Sequence, residues 1–108
     1  MTITIITATY NSAATIADTL QSVLEQTYQD FEVIVVDGVS SDKTLEIVRS
    51  FKPAFQGKLR IVSEPDQGLY DAMNKGLLMA TGQVVGILNS DDFFSTPHSL
   101  EYIAQAFE

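Results

Sequence analysis

Four short runs rich in β-branched residues, each followed by a stretch of helical spacing, constrain this chain more than any other feature. Thr and Ile dominate residues 2–9, which favours a strand. Residues 13–26 place Ile16, Leu20, Val23 and Leu24 on one helical face, with Asn11 or Ser12 as the expected N-cap. Residues 31–37 carry Val33-Ile34-Val35-Val36, the mark of a strand buried on both faces. From about Asp42 to Lys52, Leu45, Val48 and Phe51 make a second stripe, which Pro53 is expected to stop. Leu59 to Ser63 reads as a third strand. Leu69, Met73, Leu77 and Ala80 line a third helix ended by Gly82. Val84 to Leu88 is a fourth strand, and a last helix is expected from Pro97 with Thr96 as its cap. Parallel neighbours need helical crossovers, so this βαβαβαβα order predicts an α/β fold with a mostly parallel sheet.

In such a sheet, ligands bind beyond the carboxyl ends of the strands, near the point where strand order reverses. The polar residues gather on that rim. Thr9, Tyr10 and Asn11 follow the first strand, and Asp37, Gly38, Ser40, Ser41 and Asp42 follow the second. Glu64, Asp66, Gln67 and Gly68 follow the third, and Asn89, Ser90, Asp91 and Asp92 follow the fourth. Five rim carboxylates, Asp37, Glu64, Asp66, Asp91 and Asp92, would repel one another if left bare. A divalent cation sharing its shell with phosphates or water relieves that repulsion and admits an anionic ligand. Asp42, ahead of a helix, reads as a cap. Tyr10 either stacks on a base or sugar ring or fills a core edge. His98 beside Pro97 reads as a surface residue.

Composition narrows the classes further. Fourteen acidic residues against 6 basic ones give a net charge of −8, the wrong sign for a nucleic-acid binder. With no cysteine, thiol catalysis and zinc–thiolate sites are excluded. The first turn has no glycine, so the dinucleotide-binding fingerprint is missing, and no Walker-type sequence occurs. The amino terminus lacks a basic start and a long apolar stretch, and no window reaches the ~20 apolar residues of a membrane span. These features read as one soluble cytoplasmic domain over residues 1–108.

Four stretches, in order, resemble the amino-terminal half of an inverting family-2 glycosyltransferase with the Rossmann-like GT-A fold. They are Ile5-Ile6-Thr7-Ala8-Thr9-Tyr10-Asn11; Gln26-Thr27-Tyr28 with Phe31 to Gly38; Ser40-Ser41-Asp42-Lys43-Thr44; and Ser63 to Gly68 through Tyr70-Asp71-Ala72-Met73-Asn74-Lys75-Gly76 to Leu88-Asn89-Ser90-Asp91-Asp92. The Ser63-Glu64-Pro65-Asp66 and Tyr70-Asp71-Ala72-Met73-Asn74 stretches resemble the branch found in bacterial surface-polysaccharide assembly. The resemblance implies transfer of a sugar from a nucleoside-diphosphate sugar, UDP favoured, to a hydroxyl of a saccharide or lipid-linked acceptor. It implies that Ala8, Thr9 and Tyr10 flank the base and that Asp37 accepts its ring N–H. Asn89, Ser90 and Asp91 fall on the Asp-x-Asp position. Asp91 and Asn89 are then the ligands of Mg²⁺ or Mn²⁺, with Ser90 and Asp92 beside the nucleotide.

Three departures from the family pattern stand out. Asp37-Gly38 replaces an acidic pair, Met73 stands where arginine is usual, and Asn89 replaces the first acid of the metal motif. The resemblance also implies a second half that carries the acceptor site and the general base, so the base is expected beyond Glu108 and the chain reads as part of a longer one. Asp66 and Asp71 are the acids available as substitutes. The alternative reading is a non-catalytic nucleotide- and metal-binding module. A metal-binding receiver domain is disfavoured, because Thr9-Tyr10-Asn11 stands where it needs an acidic pair. An apolar sheet edge, uncovered without the second half, is expected to drive self-association. In the longer protein the expected location is the cytoplasm, peripheral at the inner face of the membrane.

Overall fold

A computed structural model describes residues 1–65 and 68–107, so Asp66 and Gln67 of the predicted rim lie outside the described residues. Four strands, β1 (Ile3–Thr9), β2 (Phe31–Asp37), β3 (Leu59–Ser63) and β4 (Val84–Ile87), form one sheet in the order β3-β2-β1-β4. Every pairing is parallel. Ile3 to Thr9 run beside Phe31 to Asp37, Ile3 to Ile6 beside Val84 to Ile87, and Val33 to Asp37 beside Leu59 to Ser63. The helices are α1 (Ile16–Leu24), α2 (Thr44–Ser50), the single turn α3 (Lys52–Phe55), α4 (Leu69–Met79) and α5 (Ser99–Ala106). This is the α/β, all-parallel arrangement that the alternation predicts.

The two inner strands are buried almost throughout, as their β-branched runs require. The larger core gathers Ile3, Ile5, Val33 and Val35 of the sheet with Ile16, Leu20 and Val23 of α1, Val48 of α2, and Leu100 and Ala104 of α5. The smaller one sets Ile6, Ile34 and Val36 against Ala72 of α4. That helix approaches closely at Gly76, where a Cβ would lie 2.5 Å from Ile6 Cγ2. β4 is an edge strand with Val85 and Ile87 exposed, so the apolar edge on which self-association rests is present.

Several local expectations need correction. α1 begins at Ile16 with Thr15 at the cap, and neither Asn11 nor Ser12 caps it through a side chain. Their side chains are spent on neighbouring loops instead. Pro53 does not stop the second helical stretch. The first helix ends at Ser50, and Pro53 sits in the first turn of α3, where its missing N–H costs nothing. On α4 the buried positions are Ala72 and Gly76, while Leu77 is exposed and Met73 half-buried; the side chain of Leu69 is outside the described set. Close packing on the sheet selects small residues there, which an apolar-stripe reading overlooks. β4 ends at Ile87, one residue early. α5 starts at Ser99 rather than Pro97, although Thr96 Oγ does accept the His98 amide at 3.1 Å.

The amino ends of the strands carry a network that the sequence does not advertise. Glu32 accepts hydroxyls from Thr4 at 2.8 Å and Thr81 at 2.6 Å, and the Thr81 amide at 2.8 Å. Arg60 lies 3.3 Å away. Burial pushes the Glu32 carboxyl up, but these donors and the Arg60 charge outweigh it and hold the pKa below 4.5. A carboxyl depressed on folding stabilises the native state above its unfolded pKa, and loses that effect as pH falls through the folded value. Stability is therefore expected to decline once pH drops below about 4.5, and Glu32→Gln to flatten that decline. Denaturant melts across this range check it; an unchanged slope in the variant would remove Glu32 from the account.

Candidate functional site

The chain runs from β1 outward to β2 and β3, then returns to place β4 on the other side of β1. Strand order thus reverses between β1 and β4, and the loops that follow them meet at the carboxyl rim. The loop after β2 adjoins the same place, because Thr9 is in register with Asp37.

Asp37 is fully buried at the tip of β2. Its carboxylate accepts the Ser40 amide at 3.0 Å, the Ser63 hydroxyl at 2.8 Å and the Ser40 hydroxyl. A carboxylate offers about four lone-pair sites, so one remains for a ligand donor. These bonds draw the loop tight enough to hold Val39 at φ 63°, a left-handed conformation that a β-branched residue avoids. Val39 is half exposed, as is Tyr10 at 62%, which rules out the core-edge reading of the tyrosine. Ala8 is partly buried, and Thr9 is buried with no partner for its hydroxyl.

Asn11, at φ 49°, ties the first loop to the second. Its side-chain oxygen accepts the Ser41 amide at 2.8 Å, and its own amide donates to Ser40 Oγ at 2.9 Å. The Ser12 amide donates to Thr44 Oγ at 2.7 Å. Asp42 caps as expected, one residue ahead of the formal cap. It accepts the Thr44 hydroxyl and amide and, at 3.2 Å, the Ala13 amide. Those bonds, the Thr44 hydroxyl foremost, hold its pKa below the usual carboxylate range.

The fourth segment turns sharply, with the Asp92 amide donating to the Asn89 carbonyl at 3.0 Å. Ser90 points inward, its hydroxyl 2.8 Å from that of Ser12. Asn89, Asp91 and Asp92 are exposed, and their side chains take no hydrogen bond from the described residues. The four rim carboxylates among the described residues, Asp37, Glu64, Asp91 and Asp92, do not converge as the sequence suggests: among the described residues no three acidic or histidine side chains could hold a metal between them. Asp37 is engaged by its own loop, and Glu64 pairs with Lys75 at 3.3 Å. Burial pushes the Lys75 pKa down, but Glu64 and Asp71 more than offset this and raise it. What remains is two unclaimed carboxylates and a carboxamide oxygen on one turn. Mg²⁺ and Mn²⁺ take hard oxygen donors, typically one or two carboxylates with phosphates and water filling the shell. The donor set of Asn89, Asp91 and Asp92 fits that demand.

Of the hydroxyls that organise these loops, those of Thr15 and Thr19 lie outside the motif stretches, and those of Ser12, Thr44 and Ser63 have loop-tying roles that the motifs do not reveal. Thr19 alone left a signal, as a polar residue among the core positions of α1. His98 is exposed beside Glu101, as expected of a surface residue.

Comparison with known proteins agrees with this geometry. A PGL/p-HBAD biosynthesis glycosyltransferase of Mycobacterium tuberculosis is 42% identical over 100 residues, covering 93% of this chain and 39% of that protein. S. aureus TarS 1–349, solved in complex with UDP-GlcNAc, superposes with a TM-score of 0.89 at 31% identity, over 97% of this chain and 30% of that one. A mannosyltransferase from Pyrobaculum calidifontis, solved with GDP-Man and Mn²⁺, gives 0.83 at 35% identity, over 91% and 30%. The chain thus spans well under half the length of the relatives it matches. The family model for glycosyl transferase family 2 covers residues 4–108. With fold, rim and sequence in agreement, the chain belongs to glycosyl transferase family 2.

Proposed function

We propose that these residues form the nucleotide-sugar-binding part of an inverting glycosyltransferase acting in cell-surface polysaccharide or glycolipid synthesis. The observation that carries this reading is the meeting of three loops at the switch point. One holds Asp37 inward with an acceptor position to spare, and another leaves Asp91 and Asp92 outward and unclaimed. Neighbouring structures with UDP-GlcNAc, and with GDP-Man and Mn²⁺, support a nucleoside-diphosphate sugar as donor.

In this reading Tyr10 stacks on the base, Ala8 and Thr9 flank it, and Asp37 accepts its ring N–H. Ser90 and Asp92 lie beside the ribose, while Asp91 and Asn89 would hold the metal. Mg²⁺ or Mn²⁺ bound there would neutralise the charge that grows on the diphosphate leaving group. Inversion also needs a general base for the acceptor hydroxyl. Asp71 is poorly suited, being ion-paired with Lys75 at 3.4 Å, Asp66 lies outside the described residues, and the base is assigned, as the family resemblance implies, to the second half. The reading places the protein in the cytoplasm at the inner membrane face, where a lipid-linked acceptor is held. Among the described residues no helix is long and apolar enough to cross a membrane.

Calorimetric titration with UDP and GDP, each with and without Mn²⁺, tests the assignment. Nucleotide binding strengthened by the metal is expected. Binding indifferent to the metal, or no binding at all, would refute the donor-site reading.

A further inference from the structure

We propose that a polar stripe on α1, centred on Thr19, is a positioning device for the Asn89–Asp92 turn. This rests on the donor-site reading above and deepens it. Thr15 at the cap, Thr19 and Ser22 within α1, and Gln26 just beyond its end follow one another at three- and four-residue steps, so they line one side of this stretch. Each bonds to the backbone of the segment that follows β4, and in the same order. Thr15 Oγ donates to the Ser90 carbonyl at 2.8 Å. Thr19 Oγ lies 3.0 Å from that carbonyl and closer still to the carbonyl of Asp92. Ser22 Oγ accepts the Phe94 amide at 3.0 Å. Gln26 donates to the Thr96 carbonyl at 2.9 Å and accepts the Leu100 amide at 3.0 Å.

Thr19 is the focal member. It is 1% exposed and shares the buried side of α1 with Ile16, Leu20 and Val23. A hydroxyl there is unfavourable unless it is hydrogen-bonded. Its single proton lies among three carbonyls, nearest that of Asp92, then that of Ser90 at 3.0 Å and that of Thr15 at 3.4 Å, and the first two bracket Asp91. The result is an asymmetry: the backbone on both sides of Asp91 is fastened to α1, while the exposed Asp91 carboxylate takes no hydrogen bond from the described residues. A turn that only closed the chain would have no need of this. A turn that presents a ligand oxygen to a cation requires both a fixed backbone and a free carboxylate, because outer contacts of this kind set ligand orientation. Thr19 touches neither metal nor nucleotide, so its effect runs entirely through the turn.

Thr19→Val removes the hydroxyl at nearly constant volume, and Thr19→Ser retains it. UDP affinity is measured by calorimetry with and without Mn²⁺ on the 108-residue chain. Thr19→Val is expected to weaken Mn²⁺-dependent UDP binding by roughly tenfold, the range seen for outer contacts of metal ligands. Metal-free UDP binding should stay within about twofold of the unsubstituted chain, and Thr19→Ser should restore the metal-dependent part. If Thr19→Val does not fold, Thr15→Val, which removes the Ser90 tie at 2.8 Å and a longer bond to the Ser12 carbonyl at 3.5 Å but leaves the Asp92 tie, provides the same comparison with a smaller expected loss. Unchanged metal-dependent affinity overturns the inference alone, as does an equal loss with and without metal, which would mark a purely structural role. No metal-dependent binding in the unsubstituted chain overturns the donor-site reading and this inference together.

Discussion

Asp91→Ala is expected to reduce UDP affinity in the presence of Mn²⁺ to its metal-free level, a loss of about 100-fold. That figure follows because even outer partners of a metal ligand typically cost roughly 10- to 100-fold, and Asp91 is assigned as the ligand itself. Thermal stability should not follow. The side chain is exposed and takes no hydrogen bond from the described residues, and truncations of that kind usually stay within about 0.5 kcal/mol. Removing one acid from a crowded rim also relieves repulsion, which works against any loss of stability. Calorimetry beside a thermal melt reads both quantities. Undiminished Mn²⁺-dependent binding would take the metal away from this turn.

Asp37→Ala should behave in the opposite way and fail on both measurements. It strips the acceptor from the Ser40 amide and from the Ser40 and Ser63 hydroxyls, bonds that are partly buried around the fully buried carboxylate. Hydrogen bonds to a charged group contribute about 1.5–3 kcal/mol. A destabilisation of about 3 kcal/mol is expected, which in a domain this small lowers the melting temperature by roughly 15 °C. Nucleotide binding should fall as well, since the loop that carries Val39 and Ser40 loses its anchor. Asp37→Asn keeps one acceptor oxygen and should lose about half as much. An Asp37→Ala chain that melts like the unsubstituted one would show that the carboxylate does not hold the loop.

The contrast between these acids shows what the sequence makes legible. Both stand at the carboxyl rim, and strand periodicity alone put them there. The fold was readable because β-branched runs and helical stripes are local signals, repeated four times without contradiction. That one acid turns inward while the other stays bare depends on Ser40, Ser63 and Ser12, whose hydroxyls suit almost any loop and carry no periodic mark. The α4 stripe failed for a related reason. Tight packing at Ala72 and Gly76 favours the smallest side chains, whereas a hydrophobic count favours Leu77, which is exposed. The loop after β2 also closes through a bond that no residue type advertises, the Gly38 amide donating to the Thr9 carbonyl at 3.0 Å.

The strand order also sets a timetable for folding. β1 pairs with β4 across the whole of β2, β3 and their helices, and until that pairing forms the turn bearing Asp91 lacks its place beside β1. Contacts of such wide sequence separation close slowly, which places folding toward the millisecond-to-second end of the range, about that of other non-local topologies. Binding competence is therefore acquired late and all at once. A ligand that recognises only the paired β1 and β4 loops acts as a latch on that pairing, adding about 2.7 kcal/mol of stability when present at a hundred times its dissociation constant.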